Sequence, residues 1–418
     1  MMNSILALAA TAQVLFLGSL AFTTDPYSYY SRSCYSRSRV KSAPNRRSNL
    51  LRSQPNDEDP TQIGGDLVTH LARIDKQWGL AKRNEIGDWQ VLELELELEL
   101  KGNEQQDGSD IVYLLEPASG ASPSCVIFFL GGAVLGQFPH IAYSEFLKRL
   151  AVRMGAAVVA IPYEVGLDHF SIAQKGVKLM KSALIECEDV RGYSSSIPKY
   201  NVGHSLGGKL HSIGMAATGI GEDIAGCGMI SYNNFGFAQT IQMARAFANE
   251  LQVSKNPRFG EGGPMPFDAL FDLASNAINA VGLEFSPSPD QTDQIISKKF
   301  DENMLQKTRL FSFQDDELDS TGRFVDCFPS GATEVSLLPG SHLTPVFLRL
   351  GVDDFPEEAR DMASQASGGF QNISFGDEDL LDQLVDEVSN WMLGKPPTRR
   401  ADFSTSVAGL IDAEVITD

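Results

Sequence analysis

Lys199-Tyr200-Asn201-Val202-Gly203-His204-Ser205-Leu206-Gly207-Gly208 is the stretch on which the reading of this chain turns. Tyr200 to Gly203 has the pattern of a buried strand, and Lys209 to Ala217 that of a helix. Between them, Gly203-His204-Ser205-Leu206-Gly207 fits G-x-S-x-G. A serine at so tight a strand-to-helix turn must hold strained backbone angles. Side chains at the flanking positions would collide, so Gly203 and Gly207 let strand and helix approach. The Leu206 N–H is then free to face a developing oxyanion, and the following helix aims its positive end at the same point.

Working outward, apolar runs alternate with helical patterns. Cys125–Leu130, Ala156–Ile161, Gly226–Tyr232, Arg309–Phe313 and Glu334–Leu338 read as buried strands. Ile141–Met154 has helical spacing and stops at Gly155. Ser171-Ile172-Ala173-Gln174 fits a capping box opening a helix to Cys187, and Asp377–Leu393 is a closing amphipathic helix. Asp66–Trp78 is a further helical pattern. Val91–Leu100 alternates Leu and Glu, as a half-exposed strand would, with Asp110–Leu115 as its hairpin partner. Such alternation calls for an α/β fold with a mostly parallel central sheet and helices on both faces.

Residues 56–66 read as linker, 56–396 as the folded domain and 397–418 as a loose tail. Between 234 and 300 the rhythm stops, with helical pieces, apolar side chains and breaks such as Gly262-Gly263-Pro264. This reads as a helical cap inserted over the serine, with a plain surface excursion as the alternative.

A serine hydroxyl needs a base. Of six histidines, His342 in Pro339-Gly340-Ser341-His342 lies beyond the last strand, at the carboxyl end of the sheet. His204 adjoins Ser205 in the turn and is expected to point away from its hydroxyl. His211 lies inside the helix. The orienting acid is expected after the preceding strand, in Gln314-Asp315-Asp316-Glu317-Leu318-Asp319. Strand-to-acid spacing favours Asp316, then Asp315, then Asp319. The order Ser205, Asp316, His342 is that of α/β-hydrolases. The second oxyanion donor is expected from Gly131-Gly132-Ala133, with the Ala133 N–H assigned beside that of Leu206. Gly131 and Gly132 also read as plain turn glycines.

The chain of 418 residues has a net charge of −20, which argues against nucleic acid and anionic membrane as partners. The first 55 residues carry Arg32, Arg37, Arg39, Lys41, Arg46, Arg47 and Arg52 against one acid, Asp25, so the remainder is more acidic than the whole. Ser4–Leu20 is a signal-peptide-like apolar run (segment 1–21), and 22–55 is rich in Ser, Tyr and Arg like a transit peptide. The two in series resemble the bipartite presequences of algae whose plastids have extra membranes. Plastid import is therefore expected, with a secretory signal followed by a linker as the alternative. Neither leaves a membrane span in the mature chain. The five cysteines have no metal-site spacing, and Cys125, Cys187 and Cys227 read as buried hydrophobes.

Several segments resemble an α/β-hydrolase-like family defined by domain of unknown function 1350, found in cyanobacteria and plastid-bearing organisms. They are Gly131–Gly136, Ala160–Tyr163, Leu167–His169, Gly203–His211, Ser231–Phe235 and Gly340–Pro345. The resemblance implies an α/β-hydrolase fold and a plastid setting, and no substrate. Asp168-His169, Asn233 and Asn234 are then candidates for the mouth of the site, with helix-start, packing and turn roles as the expected ones.

These readings point to a serine hydrolase acting on a small-molecule ester or thioester with an apolar acyl group, needing no metal or organic cofactor. The alternative is a binding or scaffold protein on the same fold that has lost catalysis. A lyase or acyltransferase use of the same residues is a third option, and the sequence leaves oligomeric state open.

Overall fold

The computed structural model describes residues 89–94, 110–117, 122–133, 135–237, 239, 284–351 and 372–401. The leader, the 66–78 helix, most of the cap segment and the tail beyond 401 lie outside the described residues. The strands are β1 Trp89–Leu94, β2 Asp110–Leu115, β3 Val126–Leu130, β4 Ala157–Ala160, β5 Lys199–His204, β6 Gly226–Ile230, β7 Thr308–Phe313, β8 Glu334–Leu338, β9 Leu348–Gly351 and β10 Asn372–Phe375. The helices are α1 Pro139–Ala142, α2 Ser144–Met154, α3 His169–Asp189, α4 Leu206–Thr218, α5 Pro289–Lys299, α6 Glu302–Lys307, α7 Thr321–Asp326 and α8 Glu378–Met392.

Eight strands form one sheet in the order β1-β2-β4-β3-β5-β6-β7-β8. β1 pairs antiparallel with β2 in the register Trp89↔Leu115, and β2 pairs antiparallel with β4. From β4 onward every pairing is parallel. One leading antiparallel strand, the β4/β3 exchange and helical crossovers between parallel strands make this the α/β-hydrolase fold. The pattern follows from burial. All residues of β3, β4, β6 and β7 are buried, as strands covered on both faces must be. On the edge hairpin, Leu92 and Leu94 are buried and Glu93 is exposed, which is the half-exposed alternation.

Helix ends follow local chemistry. α2 stops at Gly155, which takes the left-handed conformation (φ 59, ψ 36). Arg149 ties α2 to α8 through Asp382 at 2.5 Å and Glu378 at 2.6 Å. The expected helix 141–154 is divided: Tyr143 (φ −111, ψ 12) separates α1 from α2. The expected capping box at Ser171 is replaced. α3 begins earlier, at His169, because the Asp168 carboxylate takes the Ser171 N–H at 2.9 Å and its hydroxyl at 2.7 Å.

Of the segment read as a cap, α5 is described, and it packs along α4 as the crossover between β6 and β7. β9 and β10 form a separate antiparallel ribbon that the sequence pattern does not announce. The first tail residues are also placed. Leu337 N–H donates to Arg399 O at 2.8 Å and Ala401 N–H to Val335 O at 3.1 Å, so this segment covers the open edge of β8. An edge strand leaves backbone groups to be paired, which is why these residues are held. Among the described residues no helix is long and apolar enough to cross a membrane.

Candidate active site

The turn at Ser205 forms at the carboxyl end of β5. Ser205 sits at φ 53, ψ −120, outside the region that residues with a side chain prefer. Its N–H donates to the Ile230 carbonyl at 2.8 Å, which ties the turn to β6. A Cβ on Gly203 would stand 2.6 Å from the backbone of Gly207 and Gly208, and one on Gly207 would run into the Leu130 carbonyl. Both glycines are therefore required by close approach.

The loops after β7 and β8 end beside this turn. Ser205 Oγ and His342 Nε2 are 3.0 Å apart. His342 Nδ1 lies 3.1 and 3.0 Å from the two oxygens of Asp316. A carboxylate only accepts, so Nδ1 carries the proton and Nε2 accepts from the Ser205 hydroxyl. The Asp316 side chain is 0% exposed, and Leu318 N–H donates to it at 2.8 Å. Burial pushes the Asp316 carboxyl up. The attraction of His342 and its hydrogen bond, aided by the Leu318 N–H, outweigh that and hold it below its usual range.

The other two aspartates of that loop are placed elsewhere. Asp315 is exposed, with its N–H on the Gly340 carbonyl at 3.0 Å. Asp319 accepts the Thr321 N–H at 2.7 Å, and burial together with the Asp316 charge raises it to about 6.

Tyr143 and His204 complete an arrangement that the sequence pattern does not reveal. His204 Nε2 is 2.9 Å from the backbone carbonyl of His342, and its Nδ1 is 2.9 Å from Tyr143 Oη. The carbonyl only accepts, so Nε2 is the donor and Nδ1 accepts from the Tyr143 hydroxyl. Tyr143 in turn accepts the Gly132 N–H at 2.8 Å. Burial, and the neighbouring His342, lower His204 to about 3, so it is a neutral bridge. Its two ring nitrogens are engaged by Tyr143 and the His342 carbonyl, so His204 holds the backbone of the candidate base.

The loop after β3 is fixed at several atoms. Tyr163 Oη donates to the Gly131 carbonyl at 2.7 Å, and Gly136 N–H to the Gly132 carbonyl at 2.6 Å. A Cβ on Gly132 would be 3.3 Å from Ser205 Cβ, so the loop passes directly over the serine. With the Gly132 N–H engaged, the candidate donors are those of Ala133 and Leu206. Neither has an acceptor among the described residues.

Asp168, Asn233, Asn234 and His211 take structural roles, and His169 lies apart from the Ser205–His342–Asp316 row. Asp168 caps α3, and His169 is buried with its ring stacked on Phe285 at 4.2 Å. Asn233 Oδ1 accepts from Phe235 N–H in a local turn. Asn234 ties that turn to α5 by donating to Pro289 O at 3.1 Å and Asp293 at 2.8 Å. His211 bonds the Val202 carbonyl at 3.2 Å. Cys125, Cys187 and Cys227 are buried free thiols. Among the described residues no group of His, Cys, Asp or Glu is arranged to hold a metal ion.

Comparison with solved structures finds likenesses to esterases and a lipase. Est1E from Butyrivibrio proteoclasticus is 10% identical, with 73% of this chain and 98% of that one covered and a TM-score of 0.37. A soluble variant of monoglyceride lipase from Saccharomyces cerevisiae in complex with a substrate analog is 13% identical (72% and 95% covered, TM-score 0.37). An esterase from Pyrobaculum calidifontis is 15% identical (74% and 93% covered, TM-score 0.41). No curated protein matches the chain in sequence. The family described as "Protein of unknown function (DUF1350)" matches residues 113–353, more than half of the sequence, and the chain belongs to that family.

Proposed function

We propose that this protein is a serine hydrolase that cleaves an ester or thioester of an apolar acyl group. The observation that carries the reading is the hydrogen-bonded row Ser205–His342–Asp316, set on a strained turn. Ser205 Oγ attacks the substrate carbonyl carbon while His342 Nε2 takes its proton. The oxyanion is held by the N–H groups of Leu206 and Ala133. The bond to the leaving oxygen or sulfur then breaks, and His342 returns the proton to it. Water, deprotonated by His342, attacks the acyl-serine, and the acid leaves as Ser205 regains its proton. Asp316 keeps the His342 tautomer and stabilises the imidazolium. These steps need no metal or organic cofactor.

The substrate is a small molecule. The 234–300 segment, rich in apolar side chains, supports an apolar acyl part. The composition of residues 1–55 supports action in a plastid. A fluorescent fusion of residues 1–55 that reaches the plastid supports this setting, and one that is secreted contradicts it. The activity is tested with Ser205→Ala, folded as judged by circular dichroism. Hydrolysis of acyl esters and thioesters should fall roughly a thousandfold or more. Unchanged turnover in that variant removes the reading.

A further inference from the structure

Lys209 is a cation out of place. It lies in the first turns of α4, its residue is buried (1% exposed), and its Nζ has no hydrogen-bond partner among the described residues. His169 is also buried (2%), with neither ring nitrogen partnered among the described residues. Both lie against one ring: His169 stacks on Phe285 at 4.2 Å, and Lys209 Nζ is 5.6 Å from its centroid. An unpaired buried ammonium is costly, and a single cation–π contact offsets only part of that cost. Glu284 and Asp293 attract Lys209, but neither is within ion-pair distance. Glu284 is occupied by the N–H groups of Phe237 and Phe285, and Asp293 by Asn234 and Arg323.

The position relates these groups to Ser205. Cα–Cβ bonds in a helix tilt toward its N-terminus, so the Lys209 stem runs back toward the serine end of α4. Four residues span only about 6 Å of axis. His169 opens α3 and Lys209 lies in the first turns of α4, and both meet Phe285, so the starts of two neighbouring helices come together here. Their dipoles favour negative charge.

We propose that Lys209 and His169, with Phe285 as wall, form a subsite for a carboxylate at the end of the substrate's acyl chain, close to Ser205. Lys209 supplies the charge and His169 a neutral N–H. The nearby Glu284 and Asp293 would repel a dianion such as phosphate, which favours a monoanionic carboxylate. This rests on the hydrolase reading and narrows its substrate to acyl chains that are apolar along their length and anionic at the tip.

The test compares p-nitrophenyl hemi-esters of succinate, glutarate and adipate with the neutral butyrate, pentanoate and hexanoate esters, in full-length protein. A charge-assisted contact should give the hemi-ester of best length a kcat/KM advantage of about tenfold or more. That ratio should collapse in both Lys209→Met and Lys209→Gln. Glutarate should compete better than pentanoate in wild type, a comparison that needs no variant to fold. Equal ratios for charged and neutral esters in wild type, or a ratio that survives both substitutions, overturn the subsite and leave the hydrolase reading standing. If no ester is cleaved and Ser205 resists a fluorophosphonate, the hydrolase reading fails instead. Calorimetry with glutarate then decides the subsite: binding to wild type but not to Lys209→Met supports it, and equal or absent binding overturns it.

Discussion

The imidazole of His204 donates to the backbone carbonyl of His342 at 2.9 Å, so the residue preceding the candidate nucleophile holds the main chain of its candidate base. Through Tyr143 the same ring reaches the Gly132 N–H. Two loops from distant parts of the chain are thus fixed on one side chain. Tyr143→Phe keeps the ring packing and removes the hydroxyl, leaving a buried N–H and a ring nitrogen unpaired. Stability should fall by about 1–3 kcal/mol. If catalysis depends on this bracing, kcat should fall roughly tenfold to a hundredfold with KM little changed. Denaturant unfolding and steady-state kinetics on one ester read both. Full kcat in a destabilised Tyr143→Phe protein would show that the bracing is structural only.

Asp316 and Asp315, adjacent after β7, should separate by direction of their side chains. Asp316→Asn preserves shape and permits the wrong imidazole tautomer, so kcat should fall by about three to four orders of magnitude. Asp315→Asn, at an exposed side chain, should stay within about twofold of wild type, as surface substitutions generally do. Parallel kinetics on the two variants check this, and similar rates in both would remove Asp316 from its role.

Gly207→Ala should remove a large part of the fold's stability. The added Cβ would strike the Leu130 carbonyl, a backbone group that cannot rotate away. A loss of about 3 kcal/mol or more is expected, the upper end for overpacking. The measurement is the urea midpoint, and a shift of under about 1 kcal/mol would contradict the packing described.

Acid should destabilise the protein well above the ordinary carboxylate range. Burial holds His204 and His169 at about 3 and His211 at about 4, from 6.5. The unfolded chain therefore takes these protons first, and stability is lost as pH falls below 6.5. Asp319, raised to about 6, acts in the opposite sense: its contribution is full below 3.8 and is lost as pH rises through about 6. Near pH 5 these groups give a net uptake of roughly two protons on unfolding, or about 3 kcal/mol per pH unit. Unfolding midpoints at pH 7, 6 and 5 test the sign and the size.

The sheet was legible because its central strands are buried on both faces, which writes them as unbroken apolar runs such as Val126–Leu130. The candidate site was legible for a related reason. The candidate nucleophile, acid and base, Ser205, Asp316 and His342, each sit where a strand ends, after β5, β7 and β8. What stayed hidden depends on side-chain direction and distant pairing. Tyr143 reads as one more apolar position in a helical run, yet it divides that helix and bonds a residue 61 positions away. Strand-to-acid spacing favours Asp316 over Asp315 but does not reveal the Leu318 N–H that helps hold it in place. The covering of β8 by residues near Arg400 comes from backbone bonding at an open sheet edge, which leaves no mark in hydropathy.

The most direct measurement is fluorophosphonate labelling of the full-length protein, with the modified residue located by peptide mass spectrometry and compared across wild type, Ser205→Ala and His342→Ala. An activated Ser205 predicts stoichiometric labelling on that residue in wild type and none in either variant. A folded wild-type protein that resists the probe, or one labelled equally well without His342, would contradict a serine made nucleophilic by this histidine.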